Sequence, residues 1–281
     1  MTASAAADQT DVRSSIGRIT KTVVRSPAYL ALVFLILVAL FGRYFVRDPL
    51  ELSAGPQLSG PSWDFWFGTD QFGMDIFARV VYAARLDLGV GLGAAGIAVS
   101  VGVPLGALAA MRGGAFDTLM LRISESLQAF PTLLLALGIV AALGPSIPNL
   151  VFIIALVNIP VYLRLTRSAV QPIIDSDYVL AARCAGKGDL TILRRHVIPN
   201  VFAVVLAQFS VNVAWAIQIL AALSFIGLGV SLPTPEWGAM VRGGADYTTY
   251  GQWWVSTFPG LAIIATVLTL NFVADRFRAG Q

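Results

Sequence analysis

The chain has 281 residues, 57% of them apolar and 12% charged, with a mean hydropathy of +0.75 and a formal net charge of +3. Soluble domains carry roughly 25% charged residues, so this composition excludes an ordinary soluble protein. The small positive charge follows from the loop distribution described below and is no evidence of nucleic-acid binding. A single cysteine, Cys184, excludes an intrachain disulfide and reads as a small helix residue in place of alanine.

Residues 1–26 form a polar, basic tail. Val12, Ile16, Ile19 and Val23 recur at helical spacing with Arg13, Arg18, Lys21 and Arg25 around them, which predicts an amphipathic helix on the inner membrane face. The apolar run that follows is long enough to span a bilayer and lacks a small-x-small cleavage site, so it reads as a first span and not as a cleaved signal. Crossing a hydrocarbon core takes about 20 residues. Six blocks meet that length, at 28–47, 87–111, 118–143, 147–166, 200–228 and 255–274. The predicted fold is all-α: one six-span domain over 27–281, with a cytosolic loop at 167–199 and outer loops at 48–86 and 229–254.

Lysine and arginine in the loops set the orientation. With the N-terminus in the cytosol, 14 of the 19 basic residues fall inside and 5 outside, while the 16 acids divide 8 and 8. Both termini are then cytosolic. Pro104, Pro131, Pro160 and Pro259 mark bend points within the spans, tolerated where neighbours re-satisfy freed carbonyls. In the second span Gly89 and Gly93, and Gly102 and Gly106, stand one turn apart and predict close helix packing.

The segment from Arg164 to Asn200 is a polar island between two apolar runs. Asp175, Ser176 and Asp177 are N-cap residues before a helix over Tyr178–Ala185, Gly186 is a helix stop, and Gly188 and Asp189 begin a second short helix through His196. Pro199 suits the first turn of the fifth span. Ala181, Ala182 and Ala185 leave a smooth face, with Arg183, Lys187, Arg194 and Arg195 around it. The pattern predicts a docking surface. Within the spans, polar residues are expensive and face the bundle interior. Gln208, Asn212 and Trp215 share one face of the fifth span, with Ser224 further along, and Asn158, Gln218 and Asn271 are the other candidates for a substrate pathway. For each, a helix-to-helix hydrogen bond is the competing role. Glu125 is expected at an aqueous or paired site.

Ala181, Ala182, Gly186 and Pro199 occupy the positions of the Glu-Ala-Ala, glycine and proline pattern in the cytosolic coupling loop of ABC importer permeases, which the island resembles. Leu180 stands where that family has its glutamate, and His196 where an isoleucine is common. Phe67–Leu88 and Leu223–Met240 resemble further segments of peptide-importer permeases, with Met74 in place of an arginine. Phe130-Pro131 and Leu143-Gly144-Pro145 also fit, and the likeness runs in order through residues 28–278. It is to the second permease subunit of dipeptide, oligopeptide or nickel ABC importers, which are multi-pass proteins of the bacterial cell membrane.

The resemblance implies a type I permease fold that forms half of a translocation pathway with a second homologous permease. Its further partners are two ATPase subunits and an extracytoplasmic substrate-binding protein. Coupling is carried by Ala181, Ala182, Arg183, Gly186, Asp189 and Pro199. Gly186-Lys187-Gly188-Asp189 lacks the spacing and the Ser/Thr of a phosphate loop, so ATP and magnesium belong to the partners and this chain is expected to bind no cofactor or metal. A membrane-embedded enzyme is disfavoured by one histidine and no nucleophile with a base, and an independent secondary transporter by the lack of a buried carboxylate relay. Peptides, nickel complexes and other small solutes remain open as cargo.

Overall fold

The computed structural model describes residues 27–230 and 233–279; the amphipathic helix expected over 12–23 lies outside them. The described chain is helical almost throughout. In order come α1 (Pro27–Phe41) with a 3-10 turn (Gly42–Tyr44), α2 (Ile76–Arg112), α3 (Gly114–Gln128) and α4 (Thr132–Leu143). Then follow α5 (Ile147–Ile174), α6 (Asp177–Cys184), α7 (Asp189–Ile192), a π turn (Leu193–Val197), α8 (Ile198–Ile226), α9 (Trp237–Thr248) and α10 (Trp254–Ala279). Five helical stretches are long and apolar enough to cross a membrane: Pro27–Tyr44, Ile76–Arg112, Ile147–Ile174, Leu193–Ile226 and Trp254–Arg278. The bent pair α3–α4 makes a sixth when counted as one span.

Three differences from the expected spans have physical causes. First, α2 starts at Ile76 and not near 87, capped by Asp75, which accepts from Phe77 N at 2.9 Å. Arg79 and Asp87 depress hydropathy there, yet both are buried and partnered within the fold. Second, the stretch 118–143 is not a straight span. Pro131 has no N–H and disfavours a helical Phe130, so α3 ends at Gln128 and α4 leaves at 85°. The 12 residues of α4 reach only about 18 Å. Third, the island is more helical than expected. α5 runs on to Ile174, and α7 continues without a break through the π turn into α8.

Pro199 is the second residue of α8, in its first turn as expected, although the helical stretch able to span begins earlier, at Leu193. It sits just after the π turn, where Ile198 N donates to Leu193 O. That wider turn leaves room for a proline, whose ring would otherwise meet the carbonyl four residues back. Asn200 Nδ2 caps the loosened ladder by donating to His196 O at 2.6 Å.

The core runs along the bundle in three clusters. One gathers Ile76, Val80, Trp237 and Val255 at the end that α9 covers, here called the capped end. A middle cluster holds Val140, Leu150, Ile153 and Leu220. At the opposite end lie Ala107, Tyr162, Val170, Val179 and Ile192. α2 and α5 cross closely. A Cβ on Gly102 would stand 2.6 Å from Tyr162 Cβ, and one on Gly106 would overlap the Leu163 carbonyl. The other glycine pair is not at such a crossing: nothing lies within 4 Å of a Cβ on Gly89.

Candidate functional site

The break between α3 and α4 opens a groove against α5 and α8 in the middle of the bundle. Its volume is about 380 Å3, and Gln128, Thr132, Asn158, Gln208, Asn212 and Trp215 line it among valines and a leucine. Four of the seven residues named as pathway candidates, Asn158, Gln208, Asn212 and Trp215, therefore line this groove, while Gln218, Ser224 and Asn271 do not. Gln208, Asn212 and Trp215 come from successive turns of α8, and Asn158 from α5. Gln208 Nε2 donates to Asn212 Oδ1 at 3.1 Å. Asn158 and Asn212 are 2% and 4% exposed, yet the Nδ2 of each has no hydrogen-bond partner. The Tyr162 hydroxyl, one turn from Asn158, is also buried without one. A buried, unpaired donor costs roughly 1–3 kcal/mol, which makes Asn158 and Asn212 the candidate polar binding groups of this groove. Arg164 holds Gln128 by donating to its Oε1, and Arg167 grips Asp117 through two hydrogen bonds of 2.5 and 2.6 Å. The first tie fixes α3 to α5 beside the break, and the second fixes its first turn. Ser224 lies outside the groove, near the capped end, where its hydroxyl accepts from Val230 N at 3.3 Å.

At the opposite end, α6 is an eight-residue helix closed by its own backbone. Ala185 N donates to Ala181 O, Gly186 N to Arg183 O and Lys187 N to Ala182 O, at 2.9, 2.9 and 3.1 Å. This double closure needs a left-handed residue, and Gly186 supplies it at φ +74°. Ser176 is the N-cap residue, although its hydroxyl donates back to Ile173 O and does not cap α6.

The predicted alanine face divides in two. Ala182 is buried with Val179 against Val170, Ile192 and Val197, so it anchors the helix. Ala181, Arg183, Cys184, Ala185 and Gly186 are exposed, and so is Leu180 at 48%. Asp189 and Pro199 are exposed at the ends of the α7–π turn. Glu125 is exposed and pairs with Arg122 at 3.2 Å.

The capped end carries charges that the pattern of apolar blocks did not signal. Arg79 is buried. It donates to Pro49 O and Pro233 O, both at 3.1 Å, and lies 3.7 Å from Asp70. Glu236 is fully buried and caps α9, accepting from Gly238 N and Ala239 N at 2.8 and 2.7 Å. Asp87, also fully buried, accepts from Trp237 N at 3.4 Å on one carboxylate oxygen, while its other oxygen has no hydrogen-bond partner. Burial pushes the Glu236 carboxyl above the usual carboxylate range, against the pull of Ser224 and the α9 amides. Trp237 Nε1 reaches Val80 O at 2.9 Å, and Trp254 Nε1 reaches Thr69 O at 3.3 Å. The two long loops at this end thus fold into one cap on α2 and α10.

Comparison with known proteins bears on this arrangement. The family described as "Binding-protein-dependent transport system inner membrane component" matches residues 102–280. A dipeptide transport system permease protein of Alkalihalophilus pseudofirmus is 40% identical, over 89% of this chain and 84% of its own. A di/tripeptide transport system permease protein of Pseudomonas aeruginosa is likewise 40% identical, over 88% and 84%. A glutathione transport system permease protein of Escherichia coli is 38% identical, over 89% and 83%. Among solved structures, the inward-facing methionine ABC transporter MetNI aligns with a TM-score of 0.59, covering 73% of this chain and 98% of that one. At 16% identity this likeness speaks to the fold alone.

Proposed function

Because the chain belongs to the family of binding-protein-dependent transport system inner membrane components, we propose that it is the permease subunit lining half of the pathway of an ATP-driven importer for di- or oligopeptides. The peptide assignment is supported by the relatives named for dipeptide, di/tripeptide and glutathione transport. The observation that carries the transport role is the convergence of Asn158, Gln208, Asn212 and Trp215 on one mid-bundle groove.

Coupling is assigned to α6. Its exposed face, Leu180, Ala181, Arg183, Cys184 and Gly186, docks on an ATPase subunit, with Asp189 and Pro199 at the margin. Val179 and Ala182 hold the helix to the bundle, and α7 runs unbroken into α8. A push on α6 therefore reaches the groove wall through the short 185–188 turn and then along the continuous run from α7 into α8. Nucleotide binding by the partner must favour one groove state over another, because a ligand without differential affinity shifts nothing. The count of basic residues places α6 in the cytosol and the cap outside, where a substrate-binding protein delivers cargo. ATP and magnesium reside in the two ATPases, and a second permease supplies the other half of the pathway.

The test is reconstitution. Alone in liposomes, the chain neither hydrolyses ATP nor moves a labelled dipeptide; with the second permease, the ATPases and the substrate-binding protein it supports ATP-dependent uptake. Uptake by the lone chain contradicts the reading.

A further inference from the structure

We propose that Asn158 and Asn212 recognise the peptide backbone of the cargo, through hydrogen bonds that do not depend on its side chains. The inference rests on the permease reading above and concerns what the groove selects. Each carboxamide is nine-tenths or more buried, and each keeps one polar group without a partner. Gln208 occupies one of the two polar atoms of Asn212 at 3.1 Å, and the Asn212 carboxamide lies beside the Tyr162 hydroxyl.

Among the described residues no Asp, Glu, Lys or Arg lines the groove; its polar lining is Gln128, Thr132, Asn158, Gln208 and Asn212, with the Trp215 indole beside them. A carboxamide is the same chemical group as a peptide bond, with one strong acceptor and N–H donors. Such a lining complements the feature all peptides share, the alternating neutral carbonyl and N–H. It offers no fixed charge to a cargo's ionised side chains. A site built to hydrogen-bond its substrate rejects an analogue that lacks the matching group, because its own buried groups are then left unpaired. Valines on the intervening turns, Val157, Val161 and Val211, keep the wall apolar between the amides, so that bonds form only where the amides stand.

The experiment compares a labelled tripeptide with its depsipeptide, in which one backbone amide is replaced by an ester. Both are offered to the complete reconstituted importer with the same substrate-binding protein, whose own affinity for each probe is measured separately. The wild-type complex is expected to import the peptide faster than that affinity ratio accounts for. In the complex carrying Asn158→Leu and Asn212→Leu, peptide uptake is expected to fall about tenfold, the loss of one to two net hydrogen bonds. The peptide-to-ester ratio should fall to the ratio set by the substrate-binding protein alone. If the double variant does not assemble, the single Asn158→Ala is read in the same way. An unchanged ratio overturns the proposal, whether uptake is normal or both probes are slowed equally, since a purely structural pair of asparagines would produce the latter. If the wild-type complex moves neither probe, the permease reading itself fails and this inference falls with it.

Discussion

At the capped end, Arg79, Asp70, Asp87 and Glu236 are all buried, and each is held by backbone or side-chain partners drawn from distant parts of the chain. At the opposite end, Arg183, Lys187, Arg194 and Arg195 are all exposed, and α6 is attached mainly through Val179 and Ala182. One end spends its polar groups on internal bonds. The other keeps them outward and closes its helix with backbone alone. A cap built on buried charges is hard to open in pieces, because separating any pair strands a charge in a dry interior. A helix clipped on by two small apolar residues contributes little to the fold and leaves a whole face for a partner. The two ends should therefore fail in different ways when mutated, one in stability and the other in coupling.

The largest effect is expected at Arg79. Arg79→Met strands Asp70 and leaves two proline carbonyls unbonded, and should cost about 3–5 kcal/mol, read as a large drop in thermal unfolding temperature in detergent. A drop no larger than that of a surface variant would remove the contrast between the ends. Glu236→Ala comes next. Losing the α9 cap should cost about 1–2 kcal/mol in the same assay, with the 227–250 region gaining hydrogen exchange before the rest.

Glu236 also sets a pH dependence. Its carboxyl is raised by burial in the folded state, so the folded protein holds its proton to higher pH than the unfolded chain does. The stability this contributes is complete below the unfolded carboxyl value and is lost as pH rises through the folded one. Glu236→Gln has no proton to lose, so the difference in unfolding temperature between variant and wild type should move in the variant's favour as pH rises through the acid range towards neutrality. A difference constant with pH would show that Glu236 is not protonated in the fold.

At the other end the stability effects shrink. Gly186→Val forces a branched residue to φ +74° and should cost about 1–2 kcal/mol, confined to α6. Membrane insertion and assembly should persist, while ATP hydrolysis is uncoupled from uptake. Leu180→Ala should change stability by less than about 0.5 kcal/mol yet weaken binding of the ATPase, measured by pull-down of the assembled complex. Normal ATPase binding by this variant would restrict the docking face to Ala181, Arg183, Cys184 and Gly186.

Much of this contrast is legible in the amino-acid order, because local chemistry decides it. The Gly186 stop follows from one residue's backbone freedom. The groove-facing Gln208, Asn212 and Trp215 follow from helical spacing on a single span. What could not be read depends on contacts far apart in the chain. Asp87 and Glu236 are 149 positions apart by their numbers, and nothing near either one announces the other. The early start of α2 was hidden because Arg79 and Asp87 look like loop residues until their partners are in place. Pro131 signalled a bend, but its 85° size depends on how α3 and α4 pack on α5. Ala181 and Ala182 are neighbours of identical chemistry. Only the position of the bundle decides that one faces out and the other in.

The claim that the exposed face of α6 is the coupling surface has a direct test in the chain itself. Cys184 is its only cysteine and is exposed on that face. The rate at which a maleimide labels Cys184 can be followed by mass spectrometry on this chain, first in the permease pair alone and then after the ATPase subunits are added. The account predicts prompt labelling in the pair and at least tenfold slower labelling in the full complex. Equal rates in the two states would contradict it.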